Sequence, residues 1–125
     1  MQQILLGASW VVTPAEQRFS DFPIPGHTGG IEATLLNRDL SAGPIVAAMK
    51  MAPGARIPAH RHARASESFF VLDGDFINAG TEYGAGTFFA VGPGDVHGPH
   101  ETCGGCTLLF MQSGEVDPGD FFIAE

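Results

Sequence analysis

The sequence is poor in several things at once, and each shortage removes a class of function. Six Lys and Arg stand against 14 Asp and Glu, for a net charge of −8. Nucleic-acid affinity comes largely from neutralising phosphates, so this balance argues against a nucleic-acid partner. An anionic membrane surface is disfavoured for the same reason. No apolar run approaches the ~20 residues of a membrane span. The opening MQQILLGASW has no basic start and too short an apolar segment for a secretory signal, so the chain is expected to be cytoplasmic. Helical periodicity is missing beyond a turn or two, which sets helical bundles and α/β folds aside. Cysteine is scarce: Cys103 and Cys106, in a CGGC, are the only two. They have the spacing of a redox pair or, with His97 and His100, of a zinc site. Gly104-Gly105 reads instead as a tight turn into the apolar strand Thr107–Met111, which favours reduced, structural thiols.

What is abundant is glycine (17), proline (9) and phenylalanine (10), spread along 125 residues. That length fits one domain. Scattered turn formers between short apolar runs describe many short strands. The expected division is an N-terminal arm (1–30), a barrel (31–112) and a tail (113–125). In the arm, residues 4–6 and 10–12 read as short edge strands, and Thr13-Pro14-Ala15-Glu16 opens a helical turn with Thr13 as its cap. Arms of this kind pair with a neighbouring subunit, so a homodimer is expected. His27 reads as a solvated loop residue. Strands are expected at Ile31–Asn37 and Ile45–Met51, joined by a turn at 38–44; the second is nearly all apolar and should be buried on both faces. Next come Ile57–His62, with Pro58 at an edge, and Ser66–Leu72. Asp73-Gly74-Asp75 signals a hairpin in which Phe76-Ile77 pairs back. Turns at 78–80 and 83–86 precede a strand at Thr87–Val91. Gly92-Pro93-Gly94-Asp95 is a turn, Val96-His97 begins another strand, and Thr107–Gln112 is a last core strand. The tail ends in Phe121-Phe122-Ile123, which should pack on this barrel or a partner's. The fold class is all-β, a sandwich or barrel, and a small jelly roll is a good host for an interior site.

One stretch, from Gly54 to Gly74, concentrates the chemistry. His60 and His62 are one residue apart in a β segment, so both imidazoles point to one face while Arg61 points to the other. Glu67 follows five residues later. Neutral imidazole and carboxylate are both metal ligands. The best candidate for a third nitrogen is His97, in VGPGDVHGPH.

These residues resemble the two motifs of the cupins. Gly54-x5-His60-x-His62-x4-Glu67-x6-Gly74 fits the first motif at every fixed position. Gly86-x5-Gly92-x-Gly94-x2-His97 fits the second, with Gly92 in place of the usual Pro and Glu101 where the motif ends in Asn. The resemblance implies a double-stranded β-helix barrel enclosing a divalent metal held by His60, His62, Glu67 and His97. A six-coordinate ion so held keeps positions open for substrate and O2. Fe(II) is the first choice, then Mn, Ni and Zn. The second half is more closely similar to acetylacetone dioxygenase and 2,4'-dihydroxyacetophenone dioxygenase-like proteins, and also to the cupin domain of zinc-binding anti-sigma factors. The dioxygenases use non-haem Fe(II) to cleave a C–C bond beside a carbonyl, which implies a small diketone or hydroxyketone substrate. Some of them hold iron with three histidines alone, so Glu67 is either a ligand or a catalytic group that orients a ligand or water. Phe69, Val71, Phe89 and Phe110 are candidate pocket walls. Arg56, Arg61 and Arg64 lie beside the site, and ion pairs with the acidic majority are the favoured role for them. Two other functions compete: a non-redox metal-dependent cupin enzyme such as an isomerase, and a cupin sensor that binds zinc or a small ligand without catalysis. The sensor is disfavoured because the chain shows no helical sigma-binding segment.

Overall fold

The structure, a computed structural model, describes residues 4–6 (backbone), 9–37, 44–113 and 119–125. The strands in chain order are β1 (Ile4–Leu6), β2 (Ser9–Val11), β3 (Ser20–Asp21), β4 (Ile31–Asn37), β5 (Ile45–Met51), β6 (Arg56–Ile57), β7 (His60–Arg61), β8 (Glu67–Gly74), β9 (Phe76–Asn78), β10 (Thr81–Tyr83), β11 (Phe88–Val91), β12 (His100–Glu101), β13 (Cys106–Gln112) and β14 (Phe122–Ile123). One 3₁₀ turn, Pro14–Glu16, is the sole helical element among the described residues. The larger sheet runs β11-β8-β13-β5-β4-β3 and the smaller β10-β9-β12-β6; β14 pairs with β7, and β1 with β2. Every strand pairing among the described residues is antiparallel, as in a jelly roll.

Register shows which side chains face inward. Phe69, Phe110 and Ala47 stand opposite one another across β8, β13 and β5, and Val71, Leu108 and Met49 form the next row. Side chains directly opposite share a face. The inner rows close against Ile57 and Phe76 of the smaller sheet, and the core is completed by Ile31, Met51, Ala55 and Cys106. Val71 and Phe76 are fully buried. β5 is buried on both faces only over Ala47–Met49, since Lys50 is exposed. The chain's own arm lies along β4 and touches β5 at Lys50. The Trp10 indole donates to the Leu36 carbonyl at 3.0 Å, Lys50 Nζ lies 4.1 Å above the Phe19 ring, and β3 pairs with β4. Thr13 does precede the 3₁₀ turn, but its hydroxyl donates to Glu16 Oε1 and caps no backbone N–H.

The hairpin expected at Asp73-Gly74-Asp75 is not formed. β8 belongs to the larger sheet, and β9 pairs with β10 and β12 in the smaller one. Gly74 is therefore where the chain crosses between sheets. It sits at φ +86°, and a Cβ there would lie 2.1 Å from the Gly105 carbonyl oxygen. Asp75 fastens the crossing: its carboxylate accepts from Cys103 N, Gly104 N and the Thr102 hydroxyl. The two-residue turn that does make a hairpin is Ala79-Gly80, between the paired Asn78 and Thr81; both turn residues have positive φ, at 50° and 84°. The strand expected from Val96 begins only at His100, because Gly98-Pro99 interrupts it and leaves His97 as a single bridge to His60. The turn expected at 38–44 lies, except for Pro44, outside the described residues. Both thiols are free. Cys103 is exposed, while burial pushes the Cys106 thiol up to about 11.

Gly74→Ala should destabilise the fold by more than about 2 kcal/mol, the left-handed penalty plus a backbone clash. Gly86→Ala, at φ +94° but with open space around it, should cost only about 1–2 kcal/mol. Urea unfolding of the two variants measures the difference.

Candidate metal centre

Three of the four candidate ligands come from β7, the loop after it and the start of β8, and the fourth from a segment distant in sequence that pairs with His60. His60 opens β7, His62 follows it, and Glu67 opens β8. His97 is brought to them by backbone pairing: His60 N donates to His97 O at 3.0 Å and His97 N to His60 O at 2.9 Å. Gly94 N donates to His62 O at 2.6 Å, which docks the turn before His97 on the same strand. The imidazoles of His60 and His97 lie 4.2 Å apart, those of His60 and His62 5.1 Å, and those of His62 and His97 5.7 Å. One ligand atom from each of His60, His62, Glu67 and His97 lies within 4.8 Å of the others, and all four residues are buried. Arg61, between the histidines, points away and stacks over Phe122 at 4.5 Å.

The hydrogen bonds leave the right atoms free for a cation. A carbonyl only accepts, so His60 Nδ1, 2.8 Å from Pro58 O, and His62 Nδ1, 2.6 Å from Asp120 O, carry their ring protons. A neutral ring protonated at Nδ1 has its lone pair at Nε2. His62 Nε2 lies 2.7 Å from Glu67 Oε1 and His97 Nε2 lies 3.0 Å from Glu67 Oε2. Both nitrogens are nevertheless buried without a properly angled hydrogen bond. They converge beside the carboxylate rather than donating to it, which is the arrangement a cation requires. Burial opposes charge on Glu67, but contacts from His62 and His97 outweigh it and bring the carboxyl down to about 2. Burial likewise opposes charge on His62, and the Glu67 carboxylate reverses this and raises its pKa. His60 lacks such a partner at close range, and burial lowers it to about 4. The buried His/His/Glu/His cluster fits a divalent metal.

The tail supplies the support. The Asp120 carboxylate accepts from the backbone N–H of Ala63, Arg64 and Ala65, organising the loop between His62 and Glu67. Phe121 stacks on His60 with ring centroids 4.3 Å apart and planes 18° from parallel. β14 pairs with β7, and Glu125 binds Arg56 at 2.8 Å and accepts from Ala59 N. Of the expected Phe121-Phe122-Ile123 packing, Phe121 packs on the chain's own barrel, while Phe122 and Ile123 pair with β7 through the backbone but remain 42 % and 50 % exposed. Asp120 itself was missed, because one more acid in an acidic tail carries no distinguishing pattern.

The four expected pocket residues separate. Phe69 is buried with its centroid 6.5 Å from that of His97. Phe110 shares its inner row but remains half-buried, and Leu35, opposite Ala47 in that row, is 43 % exposed. Leu35 and Phe110 thus leave the β13–β5–β4 part of that inner row partly accessible. Val71 is one row deeper in the core, and Phe89 stacks on Phe69 at 4.9 Å and meets Phe76 and Tyr83 edge-on. Neither Cys103 nor Cys106 joins a metal-binding group among the described residues. His27 stays outside the cluster, with Nδ1 3.1 Å from Gly29 O. His100, not expected as a site residue, lies with its ring 5.2 Å from His97 and 5.7 Å from His60. Burial drives it down to about 3 and keeps it neutral.

Removing a group that orients a metal-bound histidine typically weakens metal binding by 10–100-fold. Asp120→Ala should do so here, by releasing both the loop at 63–65 and the carbonyl that holds His62. His97→Ala should abolish binding. Competition with a chelator of known affinity reads both.

Comparison with known proteins agrees with this geometry. Among solved structures, the polyketide cyclase RemF from Streptomyces resistomycificus is similar at a TM-score of 0.79 and 18% identity, over 92% of this chain and 84% of that one. An RmlC-like cupin from Shewanella frigidimarina is similar at 0.72 and 22% identity, over 94% and 97%. An acetylacetone dioxygenase from Acinetobacter johnsonii is similar at 0.68 and 18% identity, over 99% and 87%. These likenesses establish a cupin fold. A comparison with curated protein sequences finds no match. The family described as the ChrR cupin-like domain matches residues 8–117, nearly the whole chain, and the protein therefore belongs to that family of small cupins.

Proposed function

We propose that the protein is a non-haem Fe(II) dioxygenase that cleaves a C–C bond beside a carbonyl in a small diketone or hydroxyketone. The observation that carries the reading is the donor set of three buried imidazoles and one carboxylate, converging within the barrel. Such a set suits iron and leaves coordination positions free. The likeness to an acetylacetone dioxygenase adds support at the level of fold. Iron bound by His60, His62, His97 and Glu67 would supply a Lewis acid for the carbonyl oxygens and an electron source for O2.

The residues divide the remaining work. Glu67 balances the cation's charge. With its carboxyl held near 2 it stays ionised at neutral pH and is a poor proton acceptor, so its part is to hold and balance the cation. Phe69, Phe110 and Leu35 offer an apolar wall and limit water there. Asp120 and the Pro58 carbonyl hold the ring orientation of His62 and His60. The unpaired thiols fit a reducing, cytoplasmic setting, and among the described residues no helix is long and apolar enough to cross a membrane. The uncharged outer surface at Phe70, Leu72 and Phe88 is where we place the second copy of a homodimer.

A non-redox metal enzyme is the second reading, favoured by the likeness to a polyketide cyclase; zinc as a Lewis acid would serve it in the same ligands. Elemental analysis followed by oxygen-electrode assays separates the two. The first reading expects about one iron per chain after anaerobic loading, O2 uptake with a β-diketone or an aryl hydroxyketone, and loss of both in His62→Ala. Absence of O2 uptake across the panel with iron fully loaded sinks it.

A further inference from the structure

His100 is the buried polar group that the site described above leaves unexplained. It lies on β12, opposite Ile57 of β6 and Asn78 of β9, with its ring turned into the barrel and 5% of the residue exposed. Its imidazole packs against the metal-ligand rings of His97 and His60 on one side. On the other it meets Phe76 at 5.2 Å and Phe69 edge-on at 5.5 Å. His100 Nδ1 is buried with no hydrogen-bond partner. It also falls outside the group of atoms close enough to share one cation. A buried polar atom without a partner costs stability unless something other than the protein satisfies it. In an otherwise aromatic slot a Phe would pack as well and leave nothing unpaired.

We propose that His100 is a ligand-binding residue of this centre: its Nδ1 hydrogen bonds an oxygen of the small molecule held by the metal. The fitting ligand class carries at least two oxygens, one for the cation and a second for His100, on a small body. β-Dicarbonyls, hydroxamates and short carboxylates have that form. The inference rests on the metal centre and not on the oxygen chemistry proposed above, so it is tested without turnover.

The test is calorimetric titration of the metal-loaded protein, without O2, with acetylacetone, acetohydroxamate and acetate in turn. His100→Phe keeps the aromatic packing and removes the nitrogen. Its metal stoichiometry should equal that of the wild type, its thermal midpoint should be no lower, and its Kd for at least one of the three ligands should rise tenfold or more, the effect of one hydrogen bond to a charged oxygen. His100→Asn, whose amide reaches the position of Nδ1, should retain more affinity than His100→Gln, whose amide reaches the position of Nε2; this pair also serves if the Phe variant does not fold. Three results overturn the proposal: none of the probes binds the loaded wild type, the Phe variant binds as tightly as wild type, or Asn and Gln lose affinity equally. A merely structural His100 would lower the thermal midpoint on substitution and leave the Kd values unchanged.

Discussion

A carboxylate enclosed by three imidazoles is an unstable thing to bury. Taking Glu67 out of water costs several kcal/mol unless charge of the opposite sign comes with it, and the groups that act on its carboxylate among the described residues are imidazoles. What they supply are the Nε2 atoms of His62 and His97, each within 3.0 Å of a Glu67 oxygen and neither aligned to donate. The depressed carboxyl and the raised imidazole of His62 are two expressions of this single demand for positive charge. A divalent cation answers it directly.

The rest of the chain is arranged to make that meeting possible. The reciprocal bridge between His60 and His97 joins the two motifs at the backbone, so two of the ligands are fixed relative to each other by hydrogen bonds that no side-chain motion can undo. Gly74 and Asp75 carry the chain from the larger sheet to the smaller, whose β12 brings His100 beside the ligand rings. The C-terminal residues complete the loop between His62 and Glu67 and cover His60 with an aromatic ring. Such a metal site would otherwise be held by a short, irregular segment. Here that segment is fastened by three backbone N–H bonds to one carboxylate.

Several elements were legible from the residues. Ile31–Asn37 and Ile45–Met51 have the bounds expected, since alternation and continuous apolar character are local properties. The alternation across His60-Arg61-His62 predicted which side chains face inward, because the strand period is two. The Asp-Gly-Asp at 73–75 misled for an equally physical reason. A tight turn can close a hairpin or transfer a strand to another sheet, and the choice depends on what lies beyond it. Here that is the loop at 102–105, thirty residues away in the chain, whose N–H groups bind Asp75. Asp120 was illegible for the same kind of reason: it acts through residues distant in sequence and sits in no pattern that marks it. His100 stood out in sequence only through its spacing to His97, Cys103 and Cys106, and the structure keeps both cysteines out of the metal-binding group.

What the sequence determined by itself is the set of short β segments, the spacing of His60, His62 and Glu67, and the family to which they point. These follow from side-chain direction and turn chemistry over a few residues. What the tertiary structure decided is which distant groups complete the centre: His97 by a backbone bridge, Asp120 through the tail and His100 across the smaller sheet. Those choices depend on strand order and register between sheets. Register is set by packing of whole faces against each other, and no local stretch of residues contains that information.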